Sequence, residues 1–130
     1  MITNSLIVPF YNEESKVVLS LNKLLEFIKQ QQRGWEILIV NDGSNDRTLD
    51  LLKNFSSNFF EIISYPTNKG KGYAIKTAIS SASGKYTGFT DGDIPYSFED
   101  VKNAFDVIKG CDIVIGSRKL AQKGHVKTTP

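Results

Sequence analysis

Apolar positions along this chain switch repeatedly between the two spacings that report strand and helix. Leu6-Ile7-Val8 is a short β-rich run closed by Pro9, and it reads as a buried strand. Asn12 can cap a helix that begins after it, and Glu13 and Glu14 suit the positive end of a helix dipole. Val17, Leu21, Leu24 and Ile28 fall at helical spacing, with Val18 and Leu25 beside them. The spacing predicts an amphipathic helix from about Glu13 to Gln32, ended by Gly34.

The alternation then repeats. Glu36 to Val40 reads as a second strand, with Asp42-Gly43-Ser44 as its turn; Leu49, Leu52 and Phe55 mark a second helix. Phe60 to Tyr65 is a third strand halted by Pro66, and Ile75, Ala78, Ile79 and Ala82 mark a third helix ended by Gly84. Tyr86 to Thr90 is a fourth strand, followed by Asp91-Gly92-Asp93. Ser97 with Asp100 makes a capping box, and Val101, Ala104, Phe105 and Ile108 form the apolar stripe of a fourth helix closed by Gly110. Asp112 to Gly116 is a fifth strand. Strands and helices in this order predict an α/β fold, a doubly wound and mainly parallel sheet with helices on both faces. Residues 119–130 lose periodicity and carry several basic side chains. They are expected to form a flexible tail behind a domain spanning residues 1–118.

Composition narrows the function classes. The chain has 130 residues, 40% of them hydrophobic, enough for one domain with a core. Sixteen Lys and Arg against fourteen Asp and Glu leave a net charge of +2, too even a balance for a nucleic-acid binder. Cys111 is the single cysteine and His125 the single histidine, so neither an internal disulfide nor a His-rich metal site is available. No run reaches a membrane span, and the first residues lack the layout of a signal peptide; a cytoplasmic location is expected.

In open parallel sheets, ligands sit beyond the carboxyl ends of the strands. Three such loops are polar here: Tyr11-Asn12-Glu13-Glu14, Asn41-Asp42-Gly43-Ser44 and Asp91-Gly92-Asp93. Asp91 and Asp93, one residue apart on a turn loosened by Gly92, can approach a hard divalent cation from one side; oxygen ligands suit Mg2+ or Mn2+. An isolated Asp-Gly-Asp is more often a solvated turn, but following an apolar strand in this fold the balance reverses. Asp42 can accept hydrogen bonds from a base or ribose, or can equally cap the second helix. Glu13 and Glu14 complement a helix dipole by default. Tyr11 can stack on a base or simply pack against the strand end. Asn68-Lys69-Gly70-Lys71-Gly72 is neither a Walker loop nor a dinucleotide fingerprint, and remains a flexible, doubly basic helix entry that favours phosphate electrostatically. Arg118 can grip a diphosphate with its fork, or lie on the surface.

Taken in order, Ile7-Val8-Pro9-Phe10-Tyr11-Asn12-Glu13-Glu14, Val40-Asn41-Asp42-Gly43-Ser44-Asn45-Asp46-Arg47-Thr48, Asn68-Lys69-Gly70-Lys71-Gly72, Asp91-Gly92-Asp93 and Gly116-Ser117-Arg118 resemble the family-2 glycosyltransferases of the GT-A fold. The sequence looks most like the branch that uses dolichyl or other polyprenyl phosphates as acceptors. The resemblance implies an inverting transfer of a hexose from a nucleotide-diphosphate sugar of the UDP-glucose or GDP-mannose type. It implies that Pro9, Tyr11 and Glu13 line the nucleotide, that Asp42 bonds the base, and that Arg118 touches phosphate. Asp91 and Asp93 are then the pair that holds the donor diphosphate through Mg2+ or Mn2+. The acceptor implied is a lipid phosphate at the cytoplasmic face of a membrane. No general base is assigned, because the family supplies it from beyond the last matched motif; the chain reads as the donor-binding part. Two departures stand out: Asn41, where many members carry a second aspartate, and Gly92, where the synthases often carry alanine. A non-catalytic nucleotide-sugar-binding module shares every donor motif. A sugar nucleotidyltransferase fits less well, because it places a glycine-rich basic loop where this chain has acidic Pro-Phe-Tyr-Asn-Glu-Glu.

Overall fold

A computed structural model of the chain describes residues 1–31, 34–55, 59–92, 98–116 and, for their backbone, 127–129. Its residues fall into two units, Met1–Pro95 and Tyr96–Pro130. The first contains β1 (Asn4–Phe10), α1 (Val17–Gln30), β2 (Trp35–Asp42), α2 (Thr48–Asn54), β3 (Phe60–Tyr65), α3 (Lys71–Ile79) and β4 (Tyr86–Phe89). All its strand pairs are parallel, in the order β3-β2-β1-β4.

The sheet is buried on both faces, which is why Ile37-Leu38-Ile39-Val40 is a continuous apolar run rather than an alternating one. Ile7, Leu38 and Val40 share one face and pack with Ala74 and Ala78 of α3, small residues that let the helix lie close. The opposite face presents Leu6, Val8, Phe10, Ile37 and Ile39; α1, which meets β2 and α2, brings Val17, Leu21, Leu24 and Ile28 to the core. Phe27 meets Trp35 edge to face, with ring centroids 5.1 Å apart, where α1 hands over to β2. At the amino end of the sheet, Gly84 lies against Ser5 and donates its N–H to the Ser5 hydroxyl at 2.8 Å, drawing β4 alongside β1.

The first helix begins four residues later than the spacing predicts. Asn12 does not cap it: Lys16 occupies the cap position and makes no side-chain cap bond. Asn12 instead holds a left-handed backbone (φ 49°), and residues 13–16 form a separate turn in which the N–H groups of Lys16 and Val17 donate to the Glu13 carbonyl. Gly34 lies four residues beyond the end of α1, and its carbonyl accepts the N–H groups of Thr3 and Asn4 at the entry to β1.

The second unit contains α4 (Phe98–Val107), a 3-10 turn over Ile108–Gly110, β5 (Ile113–Ile115) and β6 (Lys127–Thr129). The fifth strand is therefore not a further parallel member of the main sheet. It pairs antiparallel with β6, whose sequence lies in the stretch expected to be a tail. Ser97 of the expected capping box lies outside the described residues; Glu99 and Asp100 sit in the first turn of α4, where their charge suits the helix dipole. Among the described residues, no helix is long and apolar enough to cross a membrane.

Candidate functional site

The chain builds outward from β1 through β2 to β3, then returns to add β4 on the other side of β1. The strand order reverses between β1 and β4, so a ligand crevice belongs at their carboxyl ends. Pro9 is tolerated there because its missing N–H faces β4 where pairing has already stopped, the last partners being Ile7 and Phe89. Gly92 then comes hard against β1. A Cβ at this position would lie 2.7 Å from both the Phe10 ring and the Pro9 carbonyl oxygen. Phe10 fills the room an alanine would need, which is the physical reason for glycine at this position. Asp91 is thereby set beside the end of β1, next to the loop that starts at Tyr11, itself 44% exposed.

The loops after β1 and β2 are stitched to each other. The N–H of Asn12 donates to the Ser44 hydroxyl (3.0 Å), that of Glu13 to the Thr48 hydroxyl (2.9 Å), and that of Glu14 to the Asp46 carboxylate (3.3 Å). In return, the N–H of Asn45 donates to the Asn12 side chain (2.9 Å) and that of Arg47 to the Glu14 carboxylate (3.1 Å). First-turn N–H groups have no partner within their own helix, and here the neighbouring loop supplies acceptors for those of Glu13 and Glu14. Burial would raise the Asp46 pKa, but hydrogen bonds from the Thr48 hydroxyl and from backbone N–H groups of Thr48 and Glu14 outweigh it and hold the carboxyl below its usual range. A depressed carboxylate stabilises the fold above its unfolded pKa, and that contribution is lost as pH falls through the folded value. Urea unfolding from pH 6 to pH 3 should therefore show wild type losing, below about pH 4, the advantage it holds over Asp46→Asn at neutral pH.

Asp42 ties in the loop after β3. It is 3% exposed. Its Oδ1 accepts the Tyr65 hydroxyl (2.7 Å) and the Lys69 N–H (2.9 Å); Oδ2 accepts the Asn68 side-chain amide (2.9 Å) and the Gly70 N–H (3.0 Å). Asn68 also donates to the Asp42 carbonyl at 3.0 Å. Four donors fill the acceptor sites of one carboxylate, so Asp42 neither caps α2 nor presents a vacant oxygen. Burial, then the hydrogen bond to Asp42 and its charge, push the Tyr65 phenol well above its ordinary pKa, so it stays a donor. Gly43 (φ 62°) lies so close under this loop that a Cβ would enter the backbone of Thr67 and Asn68. Asn41 is buried, bonding the Ser64 hydroxyl (3.0 Å) and accepting the Ser44 N–H (3.3 Å), a neutral role that needs no second aspartate.

The glycine-rich loop reaches the fourth strand through Lys71, whose ammonium pairs with the Asp91 carboxylate and lies 5.4 Å from the centre of the Phe89 ring. Thr90, just before Asp91, is 7% exposed, and its buried hydroxyl has no hydrogen-bond partner among the described residues. Among the described residues, no three His, Cys, Asp or Glu side chains gather as a closed metal cage. Asp91 offers one hard carboxylate of the kind that Mg2+ or Mn2+ takes alongside water and substrate phosphate. Asp93 and Arg118 lie outside the described residues. Asp91 thus stands beside the Pro9–Phe10 end of β1, from which the chain runs on into Tyr11; Glu13 is tied by its N–H to Thr48, and Asp42 is turned into the loop after β3. Sequence reasoning missed the Asp42 partners Tyr65 and Asn68, which lie 23 and 26 residues away along the chain. It also missed the Lys71–Asp91 pair, although Lys71 was visible as one of two bases entering α3.

The family model for glycosyl transferase family 2 matches residues 5–130. The chain is 38% identical, over 112 residues, to the dolichyl-phosphate beta-glucosyltransferase of Saccharomyces cerevisiae, covering 80% of this chain and 34% of that protein. The chain thus spans about a third of that relative's length. Among solved structures, S. aureus TarS 1-349 in complex with UDP-GlcNAc superposes with a TM-score of 0.67 at 29% identity, covering 85% of this chain and 32% of that one. The mannosyltransferase PcManGT from Pyrobaculum calidifontis, in complex with GDP-Man and Mn2+, shares the fold with a TM-score of 0.69 at 23% identity, covering 81% of this chain and 32% of that one.

Proposed function

The chain belongs to glycosyl transferase family 2, and on that footing we propose that it is the donor-binding portion of an inverting transferase that moves a hexose from a nucleotide-diphosphate sugar to a polyprenyl phosphate. The observation that supports this reading is the seating of Gly92 against Pro9 and Phe10, next to Asp91 and at the reversal in strand order. UDP-glucose is the favoured donor over GDP-mannose. The yeast relative named above is a glucosyltransferase, and the TarS neighbour binds UDP-GlcNAc.

Asp91, with Asp93 two residues on, would hold Mg2+ or Mn2+ against the donor diphosphate. When bound, such a cation supplies neutralisation of the charge that builds on the nucleoside-diphosphate leaving group. The half-exposed Tyr11 ring offers a stacking surface for the base, and the clasp through Asn12, Ser44 and Asn45 fixes where that ring stands. Pro9 and Glu13 flank it, and Arg118 is assigned to phosphate. Asp42 can reach a base only by exchanging one of its present donors. Its standing task is to hold the Asn68-Lys69-Gly70 backbone. A lipid-phosphate acceptor asks little of a general base, since a phosphate monoester with a second pKa near about 6 is largely ionised at neutral pH. Such an acceptor places the working protein at a membrane surface.

Calorimetric titration with UDP in excess Mn2+ tests the reading. Wild type binds only when the metal is present, and Asp91→Ala and Asp93→Ala lose that binding while keeping the wild-type circular dichroism. Folded wild type that ignores UDP, or binds it equally without metal, overturns it.

A further inference from the structure

Asp91 is proposed above as a cation ligand, yet its Oδ1 already carries a cation, the ammonium of Lys71. The pair is built for exchange. Both side chains are about half exposed, at 52% and 43%, and an exposed ion pair of this kind holds its partners weakly. The backbone beneath Lys71 is fixed, because the N–H groups of Lys69 and Gly70 are anchored on the buried Asp42 carboxylate and Gly70 sits at φ 94°. What can move is the four-carbon stem, whose ammonium lies over the Phe89 ring. A divalent ion and an ammonium compete for the same carboxylate and repel each other, so a cation held by Asp91 would displace Lys71. A diphosphate completing that cation's ligand set would offer the displaced ammonium a new anion.

Resting on the donor-site reading, we infer that Lys71 is a resident counter-ion that exchanges partners. It holds Asp91 until metal and nucleotide arrive together, then transfers its charge to the diphosphate. This makes the site resist bare metal and couples cation binding to donor binding, because the same lysine opposes the first and supports the second. Lys69, by contrast, lies 4.7 Å from the centre of the Tyr73 ring and has no bond to Asp91.

Mn2+ binding, followed by the loss of the free-ion paramagnetic resonance signal, is measured with and without UDP for wild type, Lys71→Met, Lys71→Arg and Lys69→Met. Lys71→Met binds Mn2+ alone about threefold more tightly than wild type. The same variant binds UDP with Mn2+ about tenfold more weakly. Lys71→Arg keeps the wild-type coupling, and Lys69→Met does not reproduce the opposite-signed pair of changes. Unchanged or weaker binding of bare Mn2+ by Lys71→Met, in a wild type that does bind UDP with Mn2+, overturns the counter-ion role and leaves the donor site standing. A wild type that binds no UDP overturns the donor site and this role with it.

Discussion

Gly43→Ala unfolds at a clearly lower urea concentration than wild type, with a loss of about 3 kcal/mol. Two costs combine. The backbone of Gly43 is left-handed, at φ 62°, which penalises any Cβ by roughly 1–2 kcal/mol. The added carbon would also enter the backbone of Thr67 and Asn68, and backbone cannot swing aside as a flexible side chain does. The β3–α3 loop must lift, at an overpacking cost of about 1–3 kcal/mol. Linear extrapolation of urea curves gives the total. A loss under about 1 kcal/mol would mean that the loop is not seated on the turn as described.

Asp42→Ala removes about 4 kcal/mol by the same measurement. The substitution strips the acceptor from the Tyr65 hydroxyl, the Asn68 amide and the N–H groups of Lys69 and Gly70 at once. Each orphaned donor costs about 1–3 kcal/mol if it stays buried, and loop opening to water limits the sum. Asp42→Asn falls between, since one amide oxygen can still accept while its NH2 faces donors. Amide exchange at Lys69 and Gly70 should quicken in both variants. Because Gly43→Ala and Asp42→Ala release the same loop, their losses in the double variant are expected to add to less than the sum.

The succession of elements and the parallel layout were legible because the buried strands carry unbroken β-branched and leucine runs and the helices between them show apolar stripes; the order β3-β2-β1-β4 was not. Boundaries were less legible where the chain makes a separate turn before its helix. Glu13 and Glu14 look like the first turn of a helix, and no local spacing reports the left-handed Asn12 or the contacts to Thr48 and Asp46 some thirty residues on. Asp42 looks like a cap or a base ligand for the same reason: its four partners come from the next βα connection, and no local spacing reports them. The Asp91 position followed from the apolar strand before it, and the glycine after it became intelligible only once Phe10 was seen beside it. The pairing of β5 was missed because β6 lies in a stretch with no hydrophobic period.

Every donor stitching the first two loops is a main-chain N–H, and every acceptor is a side chain: Ser44, Thr48, Asp46, Asn12 and Glu14. Main-chain donors are supplied by any residue except proline, whatever its side chain. Mutational tolerance here should therefore be lopsided, with Glu13, Asn45 and Arg47 open to exchange as far as folding is concerned and the five acceptors closed to it. Since Glu13, Asn45 and Arg47 owe the clasp nothing through their side chains, selection is at liberty to spend those three positions on recognition.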